Sequence, residues 1–173
     1  MTTTPRRTLA PPRRTADAGG DTGHADDAAA PAARVLLASV DGWFSRQALR
    51  EAMRLAGPRG GVYVVSTARV YGSGFGLPHP GLYPNRSERE AHRKAVADAV
   101  RAVERTGRAA RGEVLATRHA AKMVARSARK QGCTRIVVGA APRPRFTMLS
   151  WAGEPYRLER RAKVPVHLVV DDS

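Results

Sequence analysis

The sequence contains a single cysteine, Cys133, among its 173 residues. One cysteine cannot form an internal disulfide, which excludes a small secreted scaffold held together by disulfide bonds. The sequence also lacks any uninterrupted apolar run close to the ~18 residues that a membrane span requires. Aromatic residues make up only 5%, but hydrophobic residues make up 42%, which is enough for the core of one domain. These features predict a soluble, cytoplasmic protein that is not associated with a membrane.

Acidic residues are scarce, because 15 Asp and Glu stand against 30 Lys and Arg, a formal net charge of +15. Four Arg and four Asp cancel within residues 1–33, so the whole excess lies on residues 34–173. Between Glu113 and Glu154 the chain has eight basic residues and no acidic one. Four of them have the spacing of one helix face: Arg118, Lys122, Arg126 and Arg129. This pattern leaves two interpretations open, a solvated helix face or a site for nucleic acid or another polyanion.

Composition divides the chain into two parts. Residues 1–33 consist mainly of Thr, Pro, Arg, Ala, Gly and Asp, with one Leu and no aromatic residue. Such a segment cannot bury enough apolar surface to offset the loss of chain entropy, so it predicts a disordered N-terminal tail. Residues 34–173 form the predicted folded domain.

Within this domain, short Val-rich runs alternate with longer segments of helical period. The runs predict strands over residues 34–40, 61–67, 134–138 and 165–170, with a weaker strand over residues 109–116. The longer segments predict helices over residues 45–56, 87–106, 119–131 and about 155–162. Ser45 is expected to cap the first helix, and Ser87, with Glu90 three residues later, the second.

Almost continuously apolar strands that alternate with helices predict an α/β fold. The expected architecture is an open, five-stranded parallel sheet with helices on both faces. Ligands of such sheets bind at the carboxyl ends of the strands. The residues that follow the first, second and fourth strands are therefore the first place to look for a site.

The order and spacing of several segments resemble the universal stress protein family. These segments are Val40-Asp41-Gly42, the helix that begins at Ser45, the stretch GCTRIVVG at residues 132–139, and VPVHLVV at residues 164–170. The resemblance spans residues 34–170. It implies a Rossmann-like sheet with strand order 3-2-1-4-5 and homodimers formed through the last strand. One branch of the family binds ATP between strands one and four, so the resemblance also makes this region a candidate ATP site.

The ATP-binding branch carries the pattern G-x2-G-x9-G-(S/T) after the fourth strand, where backbone N–H groups and a hydroxyl hold the phosphates. In this sequence Gly139 matches the first glycine, but the later positions hold Pro142, Ala152 and Gly153. Proline has no N–H to donate, and alanine adds a Cβ where the backbone would approach the phosphate. Glu154 follows and brings a negative charge. We therefore expect ATP binding to be weak or lost, with no required cofactor.

A nucleotide or anion pocket keeps several candidate residues. Asp41 matches the family's acidic residue after the first strand, although Asp41-Gly42 is equally well explained as a turn into the first helix. Thr67 stands where a valine is more usual. Two arginines and a hydroxyl in the later loop could hold an anion through their side chains instead of the backbone. The candidates are Asp41, Thr67, Gly139, Arg143, Arg145 and Ser150.

Catalytic and metal-binding patterns are missing from the sequence. No His or Cys pair has metal-ligand spacing, and no nucleophile elbow is present. We therefore expect that the protein binds no metal, has no catalytic residue and is not an enzyme.

The Gly- and Pro-rich residues 71–86 predict either a functional lid or a flexible connection. The last predicted strand begins at Pro165 and ends at Val170, and its apolar edge favours a homodimer. The sequence thus predicts a regulatory or protective binding module, with polyanion binding and slow ATP hydrolysis as alternatives.

Overall fold

A computed structural model gives the structure of residues 32–40, 42–70, 84–140 and 154–170. These residues form five strands and four helices in strict alternation. In chain order they are β1 (Arg34–Ser39), α1 (Arg46–Ala56), β2 (Gly61–Arg69), α2 (Arg86–Glu104), β3 (Ala109–Thr117), α3 (Ala120–Lys130), β4 (Arg135–Ala140), α4 (Glu154–Arg161) and β5 (Val166–Val170). The expected N-terminal tail and the expected lid over residues 71–86 fall almost entirely outside the described residues.

The five strands form one parallel sheet in the order β3-β2-β1-β4-β5. This confirms the predicted fold class and the strand order that the family resemblance implied. In the sheet β1 is central, and β2 and β4 flank it with Leu37 paired to Val64 and to Val137 respectively. The chain therefore builds the sheet first to one side of β1 and then to the other, which creates a topological switch point at β1 and β4.

Side chains of the central strands alternate between two apolar layers. On one face Leu37, Val64 and Val137 pack under α1 and α2, and on the other face Leu36, Val65 and Ile136 pack under α3 and α4. All six of these side chains are completely buried. Burial on both faces explains why the strands are apolar without a period-two alternation, the pattern from which the sequence predicts a covered parallel sheet.

The helix boundaries agree with the predicted caps at α1 and differ at α2. Ser45 caps α1, since its Oγ accepts a hydrogen bond of 2.9 Å from the N–H of Ala48. The predicted cap at Ser87 is wrong. Asn85 caps α2, with its side chain accepting from the N–H of Glu88 and the Glu88 carboxylate accepting from the N–H of Asn85. Asn85 with Glu88 and Ser87 with Glu90 have the same capping-box spacing, and the helix begins after the earlier of the two caps.

Gly112 allows α2 to lie close to β3. A Cβ on this glycine would lie 2.4 Å from Val96 Cγ1 of α2 and 3.1 Å from the carbonyl oxygen of Val64. The glycine that weakens the strand in the sequence is therefore what lets the helix pack against it.

Cys133 lies in the turn before β4 and is 5% exposed. Burial raises the pKa of its thiol to about 11, which keeps it protonated and unreactive at neutral pH.

Among the four helices of the described ranges, none combines the length and the apolar character that a membrane crossing needs.

Candidate functional site

The carboxyl edge of the sheet around β1 is the candidate site. Here the last residues of β1 lie beside those of β2, with Ser39 paired to Ser66, and β4 ends on the other side at Gly139 and Ala140. Of the predicted pocket residues, the structure describes Thr67 and Gly139 at this edge. The others lie outside the described residues: Asp41, Arg143, Arg145 and Ser150.

The hydroxyl of Thr67 is used inside the protein. Thr67 is fully buried, and its Oγ1 donates toward the carbonyl oxygens of Ser39, at 3.3 Å, and Val40, at 3.5 Å. These carbonyls belong to the last residue of β1 and to the residue that follows it. Thr67 thus fixes the end of β1 from the neighbouring strand, and the residue is completely buried.

Gly139 stands at the end of β4 next to the start of α1. A Cβ built on Gly139 would lie 3.8 Å from Ser45 Oγ and 4.0 Å from Ala48 Cβ, which are ordinary contacts. Packing among the described residues therefore does not require a glycine at this position. The N-terminus of α1, whose free N–H groups carry partial positive charge, lies at the same edge. Because Gly139 has no side chain and the N-terminus of α1 lies beside it, an anionic group could approach the backbone here.

A hydrogen bond between β2 and α2 shapes the other side of this edge. Ser66 Oγ lies 2.7 Å from His92 Nδ1, and the His92 ring lies against Gly42, where an added Cβ would be 2.8 Å from two ring atoms. Gly42 has a φ of +82°, a conformation that glycine adopts without strain. A serine beside a histidine resembles a nucleophile and its base. Ser66 is 0% exposed, however, so the pair ties α2 to the sheet and sets the path of the chain after β1.

Glu154 has a role that the sequence did not indicate. Its carboxylate is 5% exposed, accepts a hydrogen bond of 2.8 Å from the N–H of Ala121, and pairs with Arg157 at 2.5 Å. His119, the residue at the cap position of α3, makes no side-chain cap. Glu154 therefore caps α3 from the first turn of α4. The carboxylate that was expected to repel a phosphate is instead bound at the N-terminus of a neighbouring helix.

The four predicted polyanion-binding residues lie on or just before α3. All four side chains are exposed, and the buried residues of the helix lie on its other side: Ala120, Ala121, Val124, Ser127 and Ala128. We call Arg118, Lys122, Arg126 and Arg129 the α3 basic face. Because α3 follows the carboxyl end of β3 and leads to the amino end of β4, Arg118 lies at the carboxyl edge of the sheet and Arg129 lies toward its amino edge.

At the edge of the sheet, β5 pairs with β4 on one side only. Val166 and Leu168 pack partly buried against the core, and Val170 is 39% exposed. An apolar edge strand of this kind needs a cover, and the dimer through β5 stays a prediction.

Among the residues that the structure describes, no three His, Cys, Asp or Glu side chains are grouped so as to hold a metal ion.

Comparison with known proteins relates this architecture to solved structures of universal stress proteins. No protein-family model matches the sequence, and no curated protein matches it significantly. Solved structures match it over most of its length. A protein of the universal stress protein family from Burkholderia pseudomallei has a TM-score of 0.58 and 22% identity, covering 80% of this chain and 96% of that one.

Two further matches contain a nucleotide. The universal stress protein from Archaeoglobus fulgidus in complex with dAMP has a TM-score of 0.53 and 20% identity, over 79% of this chain and 96% of that one. A universal stress protein in complex with cAMP has a TM-score of 0.54 and 15% identity, over 82% and 98%. The chain described here thus has the fold of the universal stress proteins over nearly the full length of the structures that it matches.

Proposed function

We propose that this chain is a cytoplasmic, non-catalytic binding module of the universal stress protein type. Its pocket lies at the carboxyl edge between β1 and β4 and takes a nucleoside monophosphate, whereas ATP binds weakly or not at all. The observation that carries the proposal is the switch point itself, where Gly139 and the N-terminus of α1 meet at one edge. Proteins of the same fold hold dAMP and cAMP.

The preference for one phosphate follows from the loop after β4. A triphosphate needs more donors than a monophosphate, and the positions that supply them in the ATP-binding branch here hold Pro142, Ala152 and Gly153. At about 1.5 to 3 kcal/mol for each hydrogen bond to a charged group, losing two donors costs about 3 to 6 kcal/mol. This corresponds to about two to four powers of ten in affinity for ATP.

The proposal of a binding role without catalysis rests on the groups at the edge. The Ser66 hydroxyl is inaccessible, and the Thr67 hydroxyl is directed at β1 carbonyls. A regulatory or protective role fits a protein that binds a metabolite and leaves it unchanged. In this proposal the β5 edge joins two copies in a homodimer.

Isothermal titration with adenosine, AMP and ATP tests the proposal. We expect AMP to bind at least as tightly as ATP, and ATP to bind no more tightly than about 100 µM. A matched variant restores the family pattern through Pro142→Gly, Ala152→Gly and Gly153→Ser. It should bind ATP about 100-fold to 10,000-fold more tightly, because the two lost donors return, while its affinity for adenosine stays the same.

Two outcomes would contradict this proposal. Low-micromolar binding of ATP to the natural sequence, tenfold or more tighter than AMP, would show that the loop holds a triphosphate despite Pro142 (a tenfold change is about 1.4 kcal/mol). Failure of both the natural and the restored chains to bind any of the three ligands would remove the pocket.

A further inference from the structure

The α3 basic face differs from every other charged helix surface in the described part of the chain. The other three helices each contain an internal ion pair: Arg54 with Glu51 at 2.8 Å in α1, Arg86 with Glu90 at 3.0 Å and Arg101 with Asp98 at 2.6 Å in α2, and Arg157 with Glu154 in α4. No acidic residue occurs in α3, whose sequence is AAKMVARSARK. Within the described residues none of the four cations of the α3 basic face forms an ion pair.

Two acidic side chains, Glu113 and Glu154, are hydrogen-bonded to α3, and Glu154 binds the N–H of Ala121 at its N-terminus. Glu113 of β3 accepts a hydrogen bond of 2.6 Å from Ser127, a buried residue of α3. It also lies beside Tyr63, whose pKa is raised by burial and then by the Glu113 carboxylate. Glu113 therefore does not neutralise the exposed side of α3. Like charges one turn apart repel, so the cations of α3 destabilise the isolated helix.

We propose that the α3 basic face binds the sugar–phosphate backbone of a nucleic acid, independently of the nucleotide pocket. Residues four apart on a helix are separated by about 6 Å along its axis, so the cations from Lys122 to Arg129 form a row about 10 Å long. A nucleic-acid strand presents one phosphate per ~3.4 Å of axis, so such a row meets several phosphates in succession. Three of the four cations are arginine, whose planar guanidinium suits bidentate contacts with phosphate.

The composition of the face favours a phosphate backbone over a protein or a lipid surface. Protein interfaces have aromatic and apolar centres, and membrane-binding helices insert large apolar side chains. In the described part of the chain the exposed large hydrophobic residues are Trp43 and Val170, and neither belongs to α3. A face made of cations and small residues offers only electrostatic attraction. Binding should therefore be insensitive to sequence and strongly dependent on salt.

Fluorescence anisotropy with a labelled single-stranded DNA of about 20 nucleotides and mixed sequence tests the proposal. Over about 50 to about 300 mM NaCl, the logarithm of affinity should fall with the logarithm of salt with a slope of about −3, the value for four phosphate contacts at about 0.7 each. Replacing all four residues by alanine should weaken binding about 100-fold at low salt and flatten the slope.

A matched control removes the same number of positive charges elsewhere. Arg50, Arg54, Arg93 and Arg101 are exposed on α1 and α2, and their replacement by alanine should change affinity by less than about threefold. A second variant keeps the charge, with Arg118, Arg126 and Arg129 replaced by lysine, and should retain the salt slope. Circular dichroism confirms that each variant is folded.

Several outcomes would overturn the proposal. Equal losses in the α3 variant and the control would mean that net charge, and no particular face, attracts the oligonucleotide. No measurable binding by the natural sequence at low salt would remove the site. Binding to vesicles of anionic phospholipid without binding to the oligonucleotide would assign the face to a membrane surface. Because AMP titration reads the pocket and anisotropy reads α3, failure of one leaves the other intact.

Discussion

Replacing Glu154 by alanine is expected to lower the free energy of unfolding by about 2 to 4 kcal/mol. The carboxylate is almost completely buried and makes both the cap of α3, through Ala121, and the pair with Arg157. Alanine leaves a buried N–H without its acceptor and removes the ion pair between Glu154 and the half-buried Arg157. Urea denaturation followed by circular dichroism measures the difference.

An exposed glutamate on the same helix provides the control. Glu159→Ala should change stability by no more than about 0.5 kcal/mol, because Glu159 lies in solvent. Glu154→Gln, which keeps an acceptor for the Ala121 N–H, should fall between the two. If Glu154→Ala and Glu159→Ala lose the same amount, Glu154 does not join α4 to α3.

Replacing Gly42 by alanine should destabilise the protein by about 2 to 4 kcal/mol, for two separable reasons. A positive φ costs an L-residue about 1 to 2 kcal/mol. The new Cβ would also lie 2.8 Å from His92, so the ring would have to move and its 2.7 Å contact with Ser66 would break. Because Gly42 lies in the segment between β1 and α1, at the proposed pocket, the same change should weaken AMP binding.

Gly107 offers a matched comparison, with a φ of +79° and no atom within 4 Å of an added Cβ. Gly107→Ala therefore measures the backbone cost alone, about 1 kcal/mol. In a double variant, His92→Ala should recover much of the additional loss at position 42, which appears as a non-additive free energy of unfolding. Equal losses at Gly42 and Gly107 would show that the His92 ring does not restrict this turn.

Most of the fold can be predicted from the sequence, because each strand and helix is marked by a local pattern of apolar residues. Short Val-rich runs and helices of clear period mark all nine elements to within a few residues, and β2 extends past its predicted end to Arg69. The cap of α2 was mispredicted because Asn85 and Ser87 both have a glutamate three residues later. Local pattern cannot decide between two capping boxes that overlap.

The candidate site was predicted less completely, because its contacts join distant parts of the chain. Ser66 and His92 are 26 residues apart, and Ala121 and Glu154 are 33 apart. No spacing rule connects such pairs before the sheet is assembled. Thr67, predicted as the last residue of its strand, lies two residues before the end of β2, and its hydroxyl turns toward β1 because of the packing of neighbouring strands.

The most direct test of the nucleotide pocket is amide NMR of the chain during titration with AMP. We predict that the largest shifts occur at the carboxyl edge, at the amides of Gly42, Thr67 and Gly139, while the α3 basic face is unchanged. Shifts confined to α3, or no shifts at all at saturating AMP, would contradict a nucleotide site between β1 and β4.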